Sequence, residues 1–245
     1  MSKVATRLLM RGMQYQEKRL STITNNMANS ATPGYKTFKP VFDGIVSRLA
    51  REEEISLSNG ARNGIQNTSI DFSQGPLIET GGKYDFAIEG KGFFVINTPN
   101  GTLYTRNGQF TISNEKKLVN TSGYPVMGSG GEITIDGTQV SVASDGLVAV
   151  DDKPVGTVKI VDFKEKESIQ PVGNSLFINT LQDNEEIAST GFSIKHGFLE
   201  SSNVSVMDEL INLINCTRAY ETYDAVKEKI SEANSKLSEM PRLKS

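Results

Sequence analysis

The sequence predicts an α+β protein: a long helix near each end of the chain, with a central all-β domain of many short strands between them. Three observations predict it. Apolar residues recur at three- and four-residue steps over 4–28 and again over 204–240, the spacing that keeps one helix face apolar. Between about 70 and 198 the period drops to two, as in strands. Turn residues punctuate that same stretch every eight to twelve positions.

The first helix carries Leu9, Met13, Leu20, Ile23 and Met27 in a four–three register, with Gln16 in the one polar slot and Val4 and Leu8 widening the stripe. It ends before Thr32-Pro33-Gly34, where Pro fixes φ for a turn and Gly supplies a positive one. Asn25, Asn26 and Asn29 bring amides into its last turns. They read either as solvated helix-end residues or as hydrogen-bonding contacts to a neighbouring chain.

The segment 37–69 follows. Phe38 and Phe42 sit in an extended stretch, a short helical pattern runs through Ile45, Val46 and Leu49, and Arg51-Glu52-Glu53-Glu54 reads as a solvated charge run. Residues 58–69, rich in Asn, Gly and Ser, read as a loop.

The β domain, expected over 70–198, opens with Phe86-Ala87-Ile88 and Phe93-Phe94-Val95-Ile96, joined through Gly90-Lys91-Gly92. Asn100-Gly101 signals a hairpin into Leu103-Tyr104-Thr105. Asp136-Gly137, Asp145-Gly146 and Gly173-Asn174 supply later turns. Arg106 stands beside a turn, where an internal carboxylate or carbonyl is its expected partner.

The last helix is expected over 204–240. Tyr223, Val226, Ile230, Ala233, Leu237 and Met240 advance by three and four, and Val206, Leu210 and Leu213 form an upstream seam joined to it through Cys216 and Tyr220, out of strict heptad phase. A helix of that length extends roughly 50–55 Å, so its seam needs something to lie against. The N-terminal seam is the first candidate, in a coiled-coil-like pairing.

Composition narrows the function classes. The chain has 245 residues, 26 Lys and Arg against 29 Asp and Glu, and no basic block, which argues against nucleic acid as a main ligand. One cysteine, Cys216, excludes an internal disulfide framework and a multi-cysteine zinc site. His196 is the only histidine, has no partner at metal-ligand spacing, and leaves no nucleophile–base–orienter set to assemble. Asp136, Asp145, Asp151 and Asp152 lack calcium-loop spacing. Gly90-Lys91-Gly92 is not followed by a helix pattern and so does not read as a phosphate loop. No cofactor, no metal site and no catalytic residue is expected. The N-terminus has no continuous apolar core and no small-residue cleavage site, and so does not read as a cleaved signal. No direct membrane insertion is expected.

Asn25-Asn26-Met27-Ala28-Asn29-Ser30-Ala31-Thr32-Pro33-Gly34-Tyr35-Lys36 resembles the N-terminal signature of bacterial flagellar rod and hook proteins. Asp85-Phe86-Ala87-Ile88-Glu89-Gly90-Lys91-Gly92-Phe93-Phe94, then Tyr104-Thr105-Arg106-Asn107-Gly108-Gln109-Phe110, resembles their central β motif. Leu199-Glu200-Ser201-Ser202-Asn203-Val204, then Arg218-Ala219-Tyr220-Glu221, is similar to their C-terminal motif. Two departures stand out: the segment Asn114-Glu115-Lys116-Lys117-Leu118 lacks the family's glycine before its Leu-Val pair, and Cys216 is unusual in the last helix.

The resemblance to the flagellar basal-body rod family implies a non-enzymatic building block of the rod, the flagellar drive shaft. It implies an axial domain of 1–36 and 199–245, a connector over 37–69 and a β domain over 70–198. It also implies export by the flagellar type III apparatus without signal cleavage, self-association, and other rod proteins as partners. The compact β domain and short 133–150 segment point to the proximal rod type, with the distal type as runner-up. Within this reading the subunit-assembly residues are Leu9, Met13, Leu20, Ile23, Asn26, Met27, Asn29, Leu210, Leu213, Tyr220, Tyr223, Val226, Ile230 and Leu237. Two other classes stand beside it: a module gripping peptidoglycan or a polysaccharide, and a hydrolase using Asp or Glu pairs.

Overall fold

A computed structural model describes residues 3–40, 68–181 and 183–239, and side chains within those spans except at 3–8, 234 and 237–239. The expected short helix at Ile45–Leu49, the charge run at 51–54 and most of the loop at 58–69 lie outside the described residues. Helix α1 spans Lys3–Ala28 and helix α2 spans Val206–Glu239. None among the described residues is long and apolar enough to cross a membrane. The α+β class holds, with a helix in each end region and strands between.

Helix α2 begins two residues later than expected because Ser205 caps it: its Oγ accepts from Asp208 N at 3.4 Å and its carbonyl from Glu209 N at 3.0 Å. Asp208 and Glu209 in the first turn complement the positive end of the helix dipole. Helix α1 stops where expected. Thr32 N donates to the carbonyl of Asn29, and Gly34 adopts φ +67. A Cβ on Gly34 would lie 2.2 Å from Asn107 N, so the turn needs glycine for space as well as for φ.

The strands, in chain order, are β1 Thr37–Pro40, β2 Thr68–Asp71, β3 Leu77–Glu79, β4 Phe86–Glu89, β5 Phe93–Thr98, β6 Gly101–Thr105, β7 Phe110–Ile112, β8 Leu118–Asn120, β9 Met127–Gly128 and β10 Gly131–Glu132. They continue with β11 Val140–Val142, β12 Leu147–Val150, β13 Lys153–Thr157, β14 Ile160–Phe163, β15 Ile169–Gly173, β16 Leu176–Asn179, β17 Glu186–Ala188, β18 Ser193–His196 and β19 Phe198–Glu200. A six-stranded antiparallel sheet in the order β15-β16-β6-β5-β14-β17 forms the centre, accompanied by the three-stranded β11-β12-β13 and by two-stranded ribbons.

The run Phe93-Phe94-Val95-Ile96 is apolar at every position because β5 is buried on both faces. Phe94 and Ile96 point into the larger core with Phe86, Leu118, Val148 and Ile194. Phe93 and Val95 point into a second with Tyr104, Phe163 and Phe177. Glycines at 90 and 92, with φ +102 and +124, make the tight connection from β4 to β5. The β5–β6 hairpin turns on Pro99-Asn100, with Thr98 opposite Gly101.

The chain divides into two units. A helical unit holds α1, residues 38–40 and 68–69, and α2 with its Ser205 cap; a β unit holds Asn29–Thr37 and Ile70–Val204. Segments 29–36 and 199–204, expected to go with the terminal helices, therefore lie in the β unit. The reason is local: Tyr35, Lys36 and Glu200 are buried there, and Leu199 pairs with Ile78 in the β19–β3 ribbon.

Candidate assembly surface

In the helical unit α1 and α2 run antiparallel. From one end to the other, Gly12 meets Tyr223, Gln16 meets Cys216, Arg19 Nη2 donates to Asn212 Oδ1 at 3.2 Å, and Asn26 meets Glu209. Ile23 is buried, a contribution of about 1.5–3 kcal/mol for such a side chain. Gly12 costs helix propensity but lets the Tyr223 ring lie against the backbone: an added Cβ would stand 2.7 Å from Cε1. Cys216 is the small buried side chain expected, with Sγ 3.3 Å from the Gln16 carbonyl and 3.4 Å from its Oε1. Burial pushes its thiol pKa up, partly offset by Arg19.

The inward seam of α2 runs at three–four spacing through Glu209, Leu213, Cys216, Tyr220 and Tyr223, with Glu209 and Cys216 buried and the others half-buried; Ile230, seven residues on, is half-buried again. The upstream seam expected through Val206 and Leu210 is instead exposed, because Glu209 takes the inward position to meet Asn26. Of the sequence-predicted assembly residues, Ile23 and Asn26 are buried; Leu9, Met13, Met27, Asn29, Leu213, Tyr220, Tyr223 and Ile230 are half-buried; Leu20, Leu210 and Val226 are exposed. The side chain of Leu237 lies outside the described residues. Exposed apolar residues gather on the first turns of α2, where Met207 is 70% accessible and Ile211 and Ile214 just over half, beside Val206 and Leu210. These five residues form the exposed apolar face at the base of α2.

Asn26 is not a free contact. Its Nδ2 donates to Glu209 Oε1 at 2.7 Å and to the Phe38 carbonyl at 2.9 Å, and its Oδ1 accepts from Phe38 N at 3.0 Å. It pins β1 within its own chain. The expectation of a solvated amide is corrected at this position, where Asn26 is buried. In the β unit Asn203 does the equivalent for Thr37: its Oδ1 accepts from Thr37 N and Oγ1, both at 2.8 Å, and its Nδ2 donates to the Asp71 and Ser73 carbonyls.

The β unit also encloses an ionic cluster that spacing could not reveal. Glu200, whose side chain is fully buried, accepts from Lys36 Nζ at 2.5 Å and Gly75 N at 3.0 Å through Oε1, and from Arg106 Nη1 at 3.1 Å through Oε2. Lys36 also donates to the Ser73 carbonyl, and Arg106 Nη2 to the Gly90 carbonyl at 2.8 Å, the internal partners expected for this guanidinium. Burial draws the Lys36 pKa below its ordinary value against the opposing pull of Glu200. The cluster fastens 29–37 onto the β unit, helped by Gly34 N donating to the Glu200 carbonyl at 2.7 Å. Lys36 and Glu200 are 164 positions apart, one in the N-terminal and one in the C-terminal segment that resembles the family.

Elsewhere chemistry is sparse. His196 Nε2 lies 3.0 Å from the Lys83 carbonyl with its ring edge-on to Phe86. Among the described residues, His, Cys, Asp and Glu nowhere gather in a group of three able to hold a metal. Tyr104 Oη donates to Glu186 Oε1 at 2.7 Å, and Glu186 also pairs with Lys159.

Comparisons with known proteins define the class. Residues 7–36 match the family described as flagella basal body rod protein, residues 87–150 the flagellar hook protein FlgE/F/G D1 domain, and residues 195–224 the flagellar basal body rod FlgEFG protein C-terminal family. The chain is 31% identical to the flagellar basal-body rod protein FlgG of Buchnera aphidicola subsp. Acyrthosiphon pisum, over 90% of this chain and 96% of that protein. It is 32% identical to FlgG of Bacillus subtilis, over 95% and 96%, and 33% identical to FlgF of Caulobacter vibrioides, over 88% of each. The chain belongs to the flagellar basal-body rod protein family. It is a structural component and not an enzyme.

Proposed function

We propose that this chain polymerises through its terminal helices as a subunit of the proximal rod, in the FlgF-like position, and helps the shaft transmit torque. The observation that carries the assembly reading is the exposed apolar cluster Met207, Leu210, Ile211 and Ile214 on α2, left over after α1 and α2 have closed on each other. A second face of that kind is what a helix needs to join a partner beyond its own chain. In this reading α1 and α2 form a coiled-coil-like axial domain, partners are neighbouring rod proteins and further copies, and contacts that do not close generate a helical shaft. Marginal terminal helices suit export in an unfolded state through the flagellar type III apparatus, with no signal removed.

The compact 133–150 region favours the proximal position. The distal, FlgG-like position is the second reading, favoured by two FlgG relatives aligning over 96% of their lengths. Immunodetection of the tagged chain in basal bodies from a strain lacking the distal rod separates them. Retention in those basal bodies supports the proximal position, and loss together with the distal rod overturns it.

A further inference from the structure

Two Asn-Gly steps fall in the described residues, and the fold treats them oppositely. Asn100 and Gly101 are exposed at the tip of the β5–β6 hairpin. Gly101 has φ +123, its carbonyl accepts from the exposed Thr98 Oγ1 at 2.7 Å, and a Cβ built on it would meet nothing within 4 Å, so space is open where a side chain would stand. Asn107-Gly108 is held fast. Asn107 Oδ1 accepts from Gln109 N at 2.9 Å, and Asn107 N donates to Thr105 Oγ1 at 3.0 Å. Gly108 is buried, its carbonyl accepts from Phe86 N at 3.0 Å, and a Cβ there would stand 1.6 Å from the Phe86 carbonyl oxygen.

We propose that Asn100 is a site of spontaneous succinimide formation and deamidation, while Asn107, with the same neighbour, is protected by the fold. In the reaction the Gly101 backbone nitrogen attacks Asn100 Cγ. The new N–C bond forms as the bond from Cγ to the side-chain amide nitrogen breaks, and ammonia leaves with the proton taken from the Gly101 nitrogen through solvent. Water then adds to one of the two ring carbonyls, giving aspartate or isoaspartate. No oxidant, reductant or metal is required.

Glycine after asparagine matters because no side chain blocks the nucleophile, and mobility matters because ring closure needs a backbone rotation that a hairpin tip permits and a packed segment forbids. At Asn107 the same closure must break the Gln109 contact and lift Gly108 away from β4, an opening that belongs to the β unit as a whole. The product puts one negative charge at the tip of the two central strands and, as isoaspartate, one extra backbone atom. The last strand pair, Thr98 with Gly101, is adjacent, while the cores lie further along β5 and β6. The strands therefore keep their register.

The test is mass spectrometry of the full chain aged at neutral pH and body temperature, digested with pepsin in acid, where ring closure is arrested, and assayed separately for isoaspartate by carboxyl methylation. The expected result is product at Asn100 accumulating at least about tenfold faster than at Asn107, as for a site that reacts without global opening. In urea the two rates should converge, and Asn100→Gln should remove the faster signal. Equal rates at both sites in the folded chain, or an inert Asn100 beside a reactive unfolded control, overturn the proposal.

Discussion

Glu200→Gln is the sharpest probe of how the β unit holds its N-terminal strap. The substitution keeps the shape and removes the carboxylate that touches both Lys36 and Arg106, leaving two buried cations without their shared counter-charge. Removing one partner from a buried ion pair costs about 3–5 kcal/mol, because the remaining charge stays desolvated. For a domain of this size that is a fall in Tm of roughly 10–20 °C. Thermal and urea unfolding followed by circular dichroism give the first number. The second comes from a cycle with Lys36→Met, which removes one stranded cation along with its burial cost. The double variant should regain at least about 1–2 kcal/mol relative to Glu200→Gln alone, since neighbours within one network do not add. Hydrogen exchange at Gly34 and Thr37 should speed in Glu200→Gln, as the strap loosens. Stability within about 0.5 kcal/mol of the parent, or simple additivity in the cycle, would refute the claim that this cluster anchors 29–37.

Other outcomes follow from single features. Tyr104 has its phenol pKa raised, first by burial and then by its bond to Glu186, so its contribution is fully present below the unfolded value near 10 and is lost as pH climbs beyond it. Tyr104→Phe should flatten the loss of urea midpoint between neutral and strongly alkaline buffer; an unchanged slope would count against the Tyr104–Glu186 bond. Gly12→Val should weaken the α1–α2 pair by about 1–3 kcal/mol through overpacking on the Tyr223 ring, and Tyr223→Ala should relieve it. Helicity and helix exchange rates that ignore both changes would contradict the close crossing. Lys116 sits at φ +61 in the turn where the family's glycine is missing nearby. Lys116→Gly should gain up to about 1 kcal/mol by removing left-handed strain, less whatever the exposed Lys116–Asp136 pair contributes. A clear loss of stability there would mean the strain is absent.

Local chemistry was legible in the sequence wherever one element decides its own shape. The end of α1, the two-residue periodicity of the β unit, the Gly90–Gly92 connection and the internal partners of Arg106 follow from turn residues and alternation. What spacing could not yield was long-range. Spacing alone puts Val206 and Leu210 at the inward position at the base of α2, because a charged Glu209 looks like surface until Asn26 faces it. Likewise Lys36 and Glu200 look like solvated residues, yet they are among the most completely buried side chains in the described chain. Asn26 was recognised as a position of consequence, but its amide turned out to be occupied within the chain.

Assembly through the exposed base of α2 is tested most directly by placing a charge on it. Ile211→Asp, paired with Ile214→Asp as a second variant, places a charge on that exposed face rather than in the α1–α2 seam. Each should leave circular dichroism and the unfolding midpoint of the purified chain unchanged, while the protein disappears from isolated basal bodies and the strain stops swimming. Normal incorporation and motility with either variant would contradict the account.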